Sequence, residues 1–199
     1  MKKRLQGIVA AMAVAFVLTA CGEEGGATQT TTTASLTAAA ENGNEIVVDD
    51  RGVPALNVPL PNGFHKDEDT SGSDLFYTDD YPDDMTNMVV GVFDYDAYGV
   101  SFEKEKFEEV FQQGYEEAGC PIANLTVLKF DAAKLEEFDT LLVDCTYEME
   151  GTAYRQVEYL AQVGTRTYVQ TYTQAGIEET QHLKDFMNSI VNASIIYEE

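Results

Sequence analysis

Along residues 46–199 the apolar positions recur with two different periods, and the switch between them sets out the elements. Leu75-Phe76-Tyr77 and residues 88–95 (MVVGVFDY) alternate as strands do, with the turn-forming DDYPDDMTN between them. The period then changes to that of a helix, since Phe107, Val110, Phe111, Gly114 and Ala118 share one face while Glu103, Glu105, Glu108, Glu109, Glu116 and Glu117 fall elsewhere. This predicts a helix over about 102–118, capped by Ser101 and closed by Gly119. Four runs rich in β-branched and aromatic residues follow, at 125–130, 140–148, 153–161 and 166–173. Glu150-Gly151 and Val163-Gly164 supply turns between the last three, so the four runs predict an antiparallel meander. A second helix over about 177–191 places Ile177, Leu183, Phe186 and Ile190 on one face. Upstream, Val53-Pro54 and VPLPNGF (58–64) predict extended, turn-broken chain, because Pro disfavours helix in the residue before it.

The N-terminus has a different pattern. Met1-Lys2-Lys3-Arg4 is followed by an uncharged apolar run, GIVAAMAVAFVLTA (7–20), which ends at Cys21-Gly22-Glu23-Glu24. That layout is a signal peptide, and the run is too short for a permanent span, which needs ~20 apolar residues. Leu18-Thr19-Ala20-Cys21 resembles the lipobox of bacterial lipoproteins, a Leu, two small residues and a Cys directly after the apolar run. The resemblance implies that Cys21 receives a diacylglyceryl group, that residues 1–20 are removed, and that the mature chain is held at a cell membrane on its extracytoplasmic side. Burial of acyl chains yields ~0.8 kcal/mol per CH2, so two or more chains make a lasting anchor.

Charge narrows the partners. Three of the 12 Lys and Arg lie in the leader, which leaves nine against 35 Asp and Glu and a mature net charge of −26. Phosphate binding is built from clustered Lys and Arg, so nucleic acid is excluded as a partner. The stretch 21–45 after the leader, rich in Thr, Ala and Gly and lacking basic residues, is expected to be a disordered stalk. As a flexible coil it spans on the order of 25 Å, about three Debye lengths at physiological salt. The remaining residues, 46–199, suffice for one domain with a sizeable core.

Strands, helix, four-stranded meander, helix is the order of an α+β fold, an antiparallel sheet of about six to seven strands packed by two helices. With Pro61-Asn62-Gly63-Phe64 at its start, the chain over roughly 56–197 resembles the Mog1/PsbP-like α/β sandwich. The resemblance implies a fold whose known members are mostly non-catalytic binding or accessory proteins. It carries no binding residue over to this chain.

Catalytic chemistry is thin. The histidines are His65 and His182, and the chain has no Gly-x-Ser-x-Gly, His-Glu-x-x-His, Cys-x-x-Cys or phosphate-cradling Gly loop. His182 has Glu178, Glu179 and Asp185 at helical neighbour spacing, a metal-site pattern that an ordinary solvated helix face also gives. DYDAYGVSFEKE (94–105) matches a calcium loop at Asp94, Asp96, Gly99 and Glu105, and departs from it at Tyr98. A strand-to-helix turn with surface acids gives the same residues, so no cofactor is assigned and calcium is the one metal the pattern raises. If Phe130 pairs with Phe138 around a turn at 131–137, Cys145 falls opposite residue 123, close to Cys120. A bridge there would close a loop of about 25 residues and stabilise by roughly 3 to 4 kcal/mol, the alternative being two buried thiols. Finally, Tyr147, Tyr154, Tyr159, Tyr168 and Tyr172 fall in the meander, where rings with a polar tip suit a contact surface, Tyr147, Tyr154, Tyr168 and Tyr172 above all.

The sequence therefore leads to a membrane-anchored, non-catalytic binding or accessory module for protein or envelope components, with a preference for positive charge. Two alternatives make different demands. A calcium-dependent structural domain needs Asp94, Asp96 and Glu105 to converge, and an envelope hydrolase needs His65 or His182 in a pocket with carboxylates.

Overall fold

The computed structural model describes residues 36–38, 46–49, 54–67, 74–94, 103–164 and 166–197. The main body is a seven-stranded antiparallel sheet. Its strands are β4 (Phe64–Lys66), β5 (Asp74–Thr78), β6 (Asn87–Asp94), β7 (Ile122–Leu135), β8 (Phe138–Met149), β9 (Thr152–Val163) and β10 (Arg166–Ala175), in spatial order β4-β5-β6-β10-β9-β8-β7. The last four are the expected meander. A smaller sheet, ordered β1-β2-β3-β11, joins β1 (Leu36–Ala38), β2 (Ile46–Asp49), β3 (Ala55–Pro59) and β11 (Ser194–Ile196). Leu36–Ala38 lies in the stretch expected to be a stalk, yet pairs antiparallel with β2.

Because side chains alternate across a strand, the central strands feed two cores, one on each face of the large sheet. On one face, α1 (Lys104–Glu117) buries Phe107, Phe111, Gly114 and Tyr115 against Leu141, Val143, Cys145, Tyr147 and Leu160. On the other, α2 (Gln181–Val191) sets Leu183 and Phe186 beside Val157, Tyr159, Tyr168 and Tyr172, with Leu56 and Val58 of β3 closing the same core.

The helix ends differ in part from the sequence expectation. Glu103, not Ser101, occupies the N-cap of α1 and makes no side-chain cap, while Ser101 lies outside the described residues. Gly119 closes the helix as expected, with φ +75° and the Cys120 N–H donating to the Tyr115 carbonyl at 3.0 Å. Ile177 does not belong to α2 and stands half exposed, because the chain turns at Gly176 (φ +85°) and the helix starts only after Thr180, whose hydroxyl accepts from Leu183 N–H at 3.1 Å.

The largest correction concerns register. β7 runs on to Leu135, which pairs with Phe138 across a two-residue turn in which Glu136 takes φ +56°. Phe130 therefore faces Val143, and Val127 faces Cys145. Cys120 precedes the strand, and Ile122 alone is roughly 16 Å along β7 from Val127 at ~3.3 Å per residue, beyond the ~7 Å Cα separation that a disulfide allows. Cys120 and Cys145 are both free. Alkylation in denaturant without reductant is expected to add two labels by intact mass; an unlabelled pair would restore the bridge.

Candidate functional site

One cleft combines charged side chains with an apolar floor. It lies between α2 and strands β8 and β9, encloses about 260 Å³, and is lined by Asp144, Arg155, Glu179, Leu183, Lys184, Met187 and Asn188. Arg155 on β9 reaches across to Asp144 on β8, with Nε donating at 2.9 Å and Nη2 at 2.6 Å to the two carboxylate oxygens. Both side chains are mostly buried, at 16% and 13% exposure, and the hydrogen bonds to Asp144 hold the guanidinium above its usual pKa. At the mouth, Lys184 and Glu179 pair at 3.3 Å in solvent. The arrangement places two acids and two bases around Leu183 and Met187, and its outer pair is weak enough to be exchanged for a ligand's charges.

The opposite face of the sheet holds a polar strip buried beneath α1. The Tyr115 and Tyr147 hydroxyls are 2.7 Å apart, and both lie within donating distance of Gln156 Oε1, at 2.9 and 3.0 Å. Gln156 Nε2 in turn donates to Glu158 Oε1 at 2.7 Å. Glu158 is fully buried, and burial pushes its carboxyl up to about 7, the hydrogen bond from Gln156 opposing that rise. Its Oε2 has no protein partner, nor does Oγ1 of Thr171, the residue directly opposite on β10. Nothing in the sequence marks this acid among the 35, because only the strand order shows that its strand is covered on both faces. Gln156 and Glu158 sit in a middle strand of the meander, where both faces are covered and neither residue parity leads to solvent.

The tyrosines do not form the expected contact surface. Tyr147, Tyr168 and Tyr172 are 2% exposed or less, and Tyr154, stacked on Tyr147 at 5.7 Å, is partly buried against the same core. With a helix on each side of the sheet, both residue parities of its central strands point into a core, so these rings are packing residues. Cys145 is likewise inert, since burial, with Glu158 and Asp144 nearby, raises its thiol well above the usual range.

His182 turns away from its neighbouring acids. Its ring packs edge-on against Phe64 at 5.7 Å and its Nδ1 is buried with no hydrogen-bond partner. The PNGF turn is fitted to this ring: Gly63 has φ +77°, and a Cβ there would stand 3.4 Å from His182 Cε1. Asp185 instead accepts from Gln181 at 2.9 Å. His65 pairs with Asp79 at 3.1 Å in open solvent, without the shielding that acid-base chemistry uses. Of the calcium-loop residues, Asp96 and the side chain of Asp94 lie outside the described residues, and Glu105 stands exposed in the first turn of α1. No three His, Cys, Asp or Glu among the described residues gather as a metal site. Cys21 and the leader also lie outside the described residues, and no described helix is long and apolar enough to cross a membrane.

No protein-family model matches the chain, and no curated protein sequence does. Among solved structures, it is similar to LpqN of Mycobacterium tuberculosis, a protein involved in cell envelope biogenesis, at 16% identity and TM-score 0.48 over 77% of this chain and 92% of that one. It is also similar to the cyanobacterial PsbP of Synechocystis sp. PCC 6803, at 10% identity and TM-score 0.51 over 88% of this chain and 99% of that one. The second likeness shows the fold: two helices on a seven-stranded antiparallel sheet, in the PsbP-like manner expected from the order of elements.

Proposed function

We propose that this protein is a lipid-anchored component of the bacterial cell envelope whose acidic domain binds a partner without catalysing a reaction. The observation that carries the reading is the cleft beside α2, where the exposed Glu179–Lys184 pair and the buried Arg155–Asp144 pair ring an apolar floor. Such a site suits a ligand that brings a cationic group to the acids and an aliphatic stem to Leu183 and Met187. A mature charge of −26 draws cations toward it and repels polyanions. The lipobox-like Leu18-Thr19-Ala20-Cys21 supports the anchor, and the PsbP-like fold supports an accessory role.

The two sides of the outer pair predict opposite effects. In calorimetric titration of the mature chain with a lysine-rich peptide, Glu179→Gln is expected to weaken binding roughly fivefold, equivalent to about 1 kcal/mol. Lys184→Ala, which frees Glu179, is expected to strengthen it. High salt should weaken both. Binding indifferent to salt and to both substitutions would move the contact surface elsewhere, and turnover of a substrate dependent on His65 or His182 would overturn the functional class.

A further inference from the structure

We propose that Glu158 is a proton-operated latch on α1, holding the helix docked while its carboxyl is protonated and letting it lift when the carboxyl ionises. The geometry begins with the way α1 is held. Its buried stripe is Phe107, Phe111, Gly114 and Tyr115, and it covers the sheet at the end where β7 is the outer strand. Tyr115 is the polar member of that stripe, and its hydroxyl contacts both Tyr147 and Gln156. Gln156 passes the connection to Glu158, whose second oxygen has no protein partner. The helix is thus tied through a short hydrogen-bonded chain to a buried acid on β9.

The groups facing that acid cannot neutralise it. From α1 they include Tyr115, from β8 Cys145 and Tyr147, and from β10 the opposed residue is Thr171, which does not titrate. None of these supplies a positive charge. An ionised Glu158 would also lie beneath a helix whose Glu105, Glu108, Glu109, Glu116 and Glu117 outnumber Lys104 and Lys106, and those two lysines pair with Glu108 and Glu103 at its surface, so the net charge above it is repulsive.

The direction of the pH effect follows from which state holds the proton. Docked, Glu158 keeps its proton up to about 7; with α1 lifted and water admitted, it ionises near its ordinary 4.5. Between those values the docked state binds more protons, so raising the pH favours lifting. Below the window both states are protonated and docking is at full strength. Above it both are ionised and the loss levels off. Lifting α1 uncovers Tyr147, Gln156 and Thr171, so the latch governs access to this face of the sheet.

Amide hydrogen exchange on the mature chain, expressed as protection relative to unstructured peptide, is the test. From about pH 5 to about pH 8 the protection of residues 107–117 is expected to fall about 100-fold, while the amides of β8, β9 and β10 hold theirs. Glu158→Gln keeps the shape and removes the charge, so its α1 protection should be the same at both values. Tyr115→Phe cuts the tie but leaves the acid, and should lower α1 protection severalfold at both values with the pH-dependent fall retained. Protection of α1 that ignores pH, an undiminished fall in Glu158→Gln, or loss from α1 and the central strands together would each overturn the latch. So would Tyr115→Phe protection equal to that of the unaltered protein.

Discussion

Substituting Cys21 by Ser is expected to abolish fatty-acid labelling of the protein and to move the mature domain from the detergent phase into water. The expected effect is all or none. Two acyl chains of ordinary length bury some thirty CH2 groups at ~0.8 kcal/mol each, far more than any surface contact of the domain could replace. The described residues offer no substitute, because none of their helices is long and apolar enough to cross a membrane and at −26 the mature protein is repelled by an anionic membrane surface. Pulse labelling with a radioactive fatty acid followed by detergent partition reads both halves of the prediction. Label retained by the serine variant would place the lipid elsewhere and remove the anchor from the proposal.

Much of the architecture was legible in the residues, and the errors share one physical origin. The switch from period two to period 3.6 and back located α1, the meander and α2, because those periods follow from how side chains leave a strand and a helix. What periodicity does not report is how many faces of a strand are covered. In β7 the run Asp131-Ala132-Ala133-Lys134, with no large apolar side chain, reads as a loop, but the outer strand of a sheet can expose such residues and still pair along its inner edge. The turn consequently sits at Glu136-Glu137 and the register moves by five residues, which is what separates Cys120 from Cys145.

The central strands show the converse. Tyr147, Tyr168 and Tyr172 read as an amphipathic surface when one face of the sheet is assumed to be wet, yet helices cover both faces and the rings are buried. Glu158 was invisible for the same reason, being one acid among 35 until its strand is placed mid-sheet under α1. The cleft was half legible. Glu179 had been singled out as a neighbour of His182, whereas its charged partner is Lys184 and the histidine packs on Phe64. Arg155 and Asp144 are 11 positions apart, and only the hairpin register brings them together.

That pair makes the second large effect. Arg155→Ala is expected to destabilise the domain by about 3 kcal/mol, since it leaves the Asp144 carboxylate mostly buried with both of its strong donors gone. For a chain of this size the melting temperature should drop by roughly 10 °C. The charge left behind costs more than the lost contact, so removing it should restore stability: Asp144→Ala in the same chain is expected to recover most of the loss and to show a coupling of about 2 kcal/mol in a double-mutant cycle. Urea denaturation of the four proteins measures it. A single-variant loss below about 1 kcal/mol, or additive effects, would mean that solvent reaches Asp144 freely and that the pair is no more than a surface ion pair. The same result would bear on binding, because a cleft whose inner pair is loosely held could not keep its floor and rim in register for a ligand.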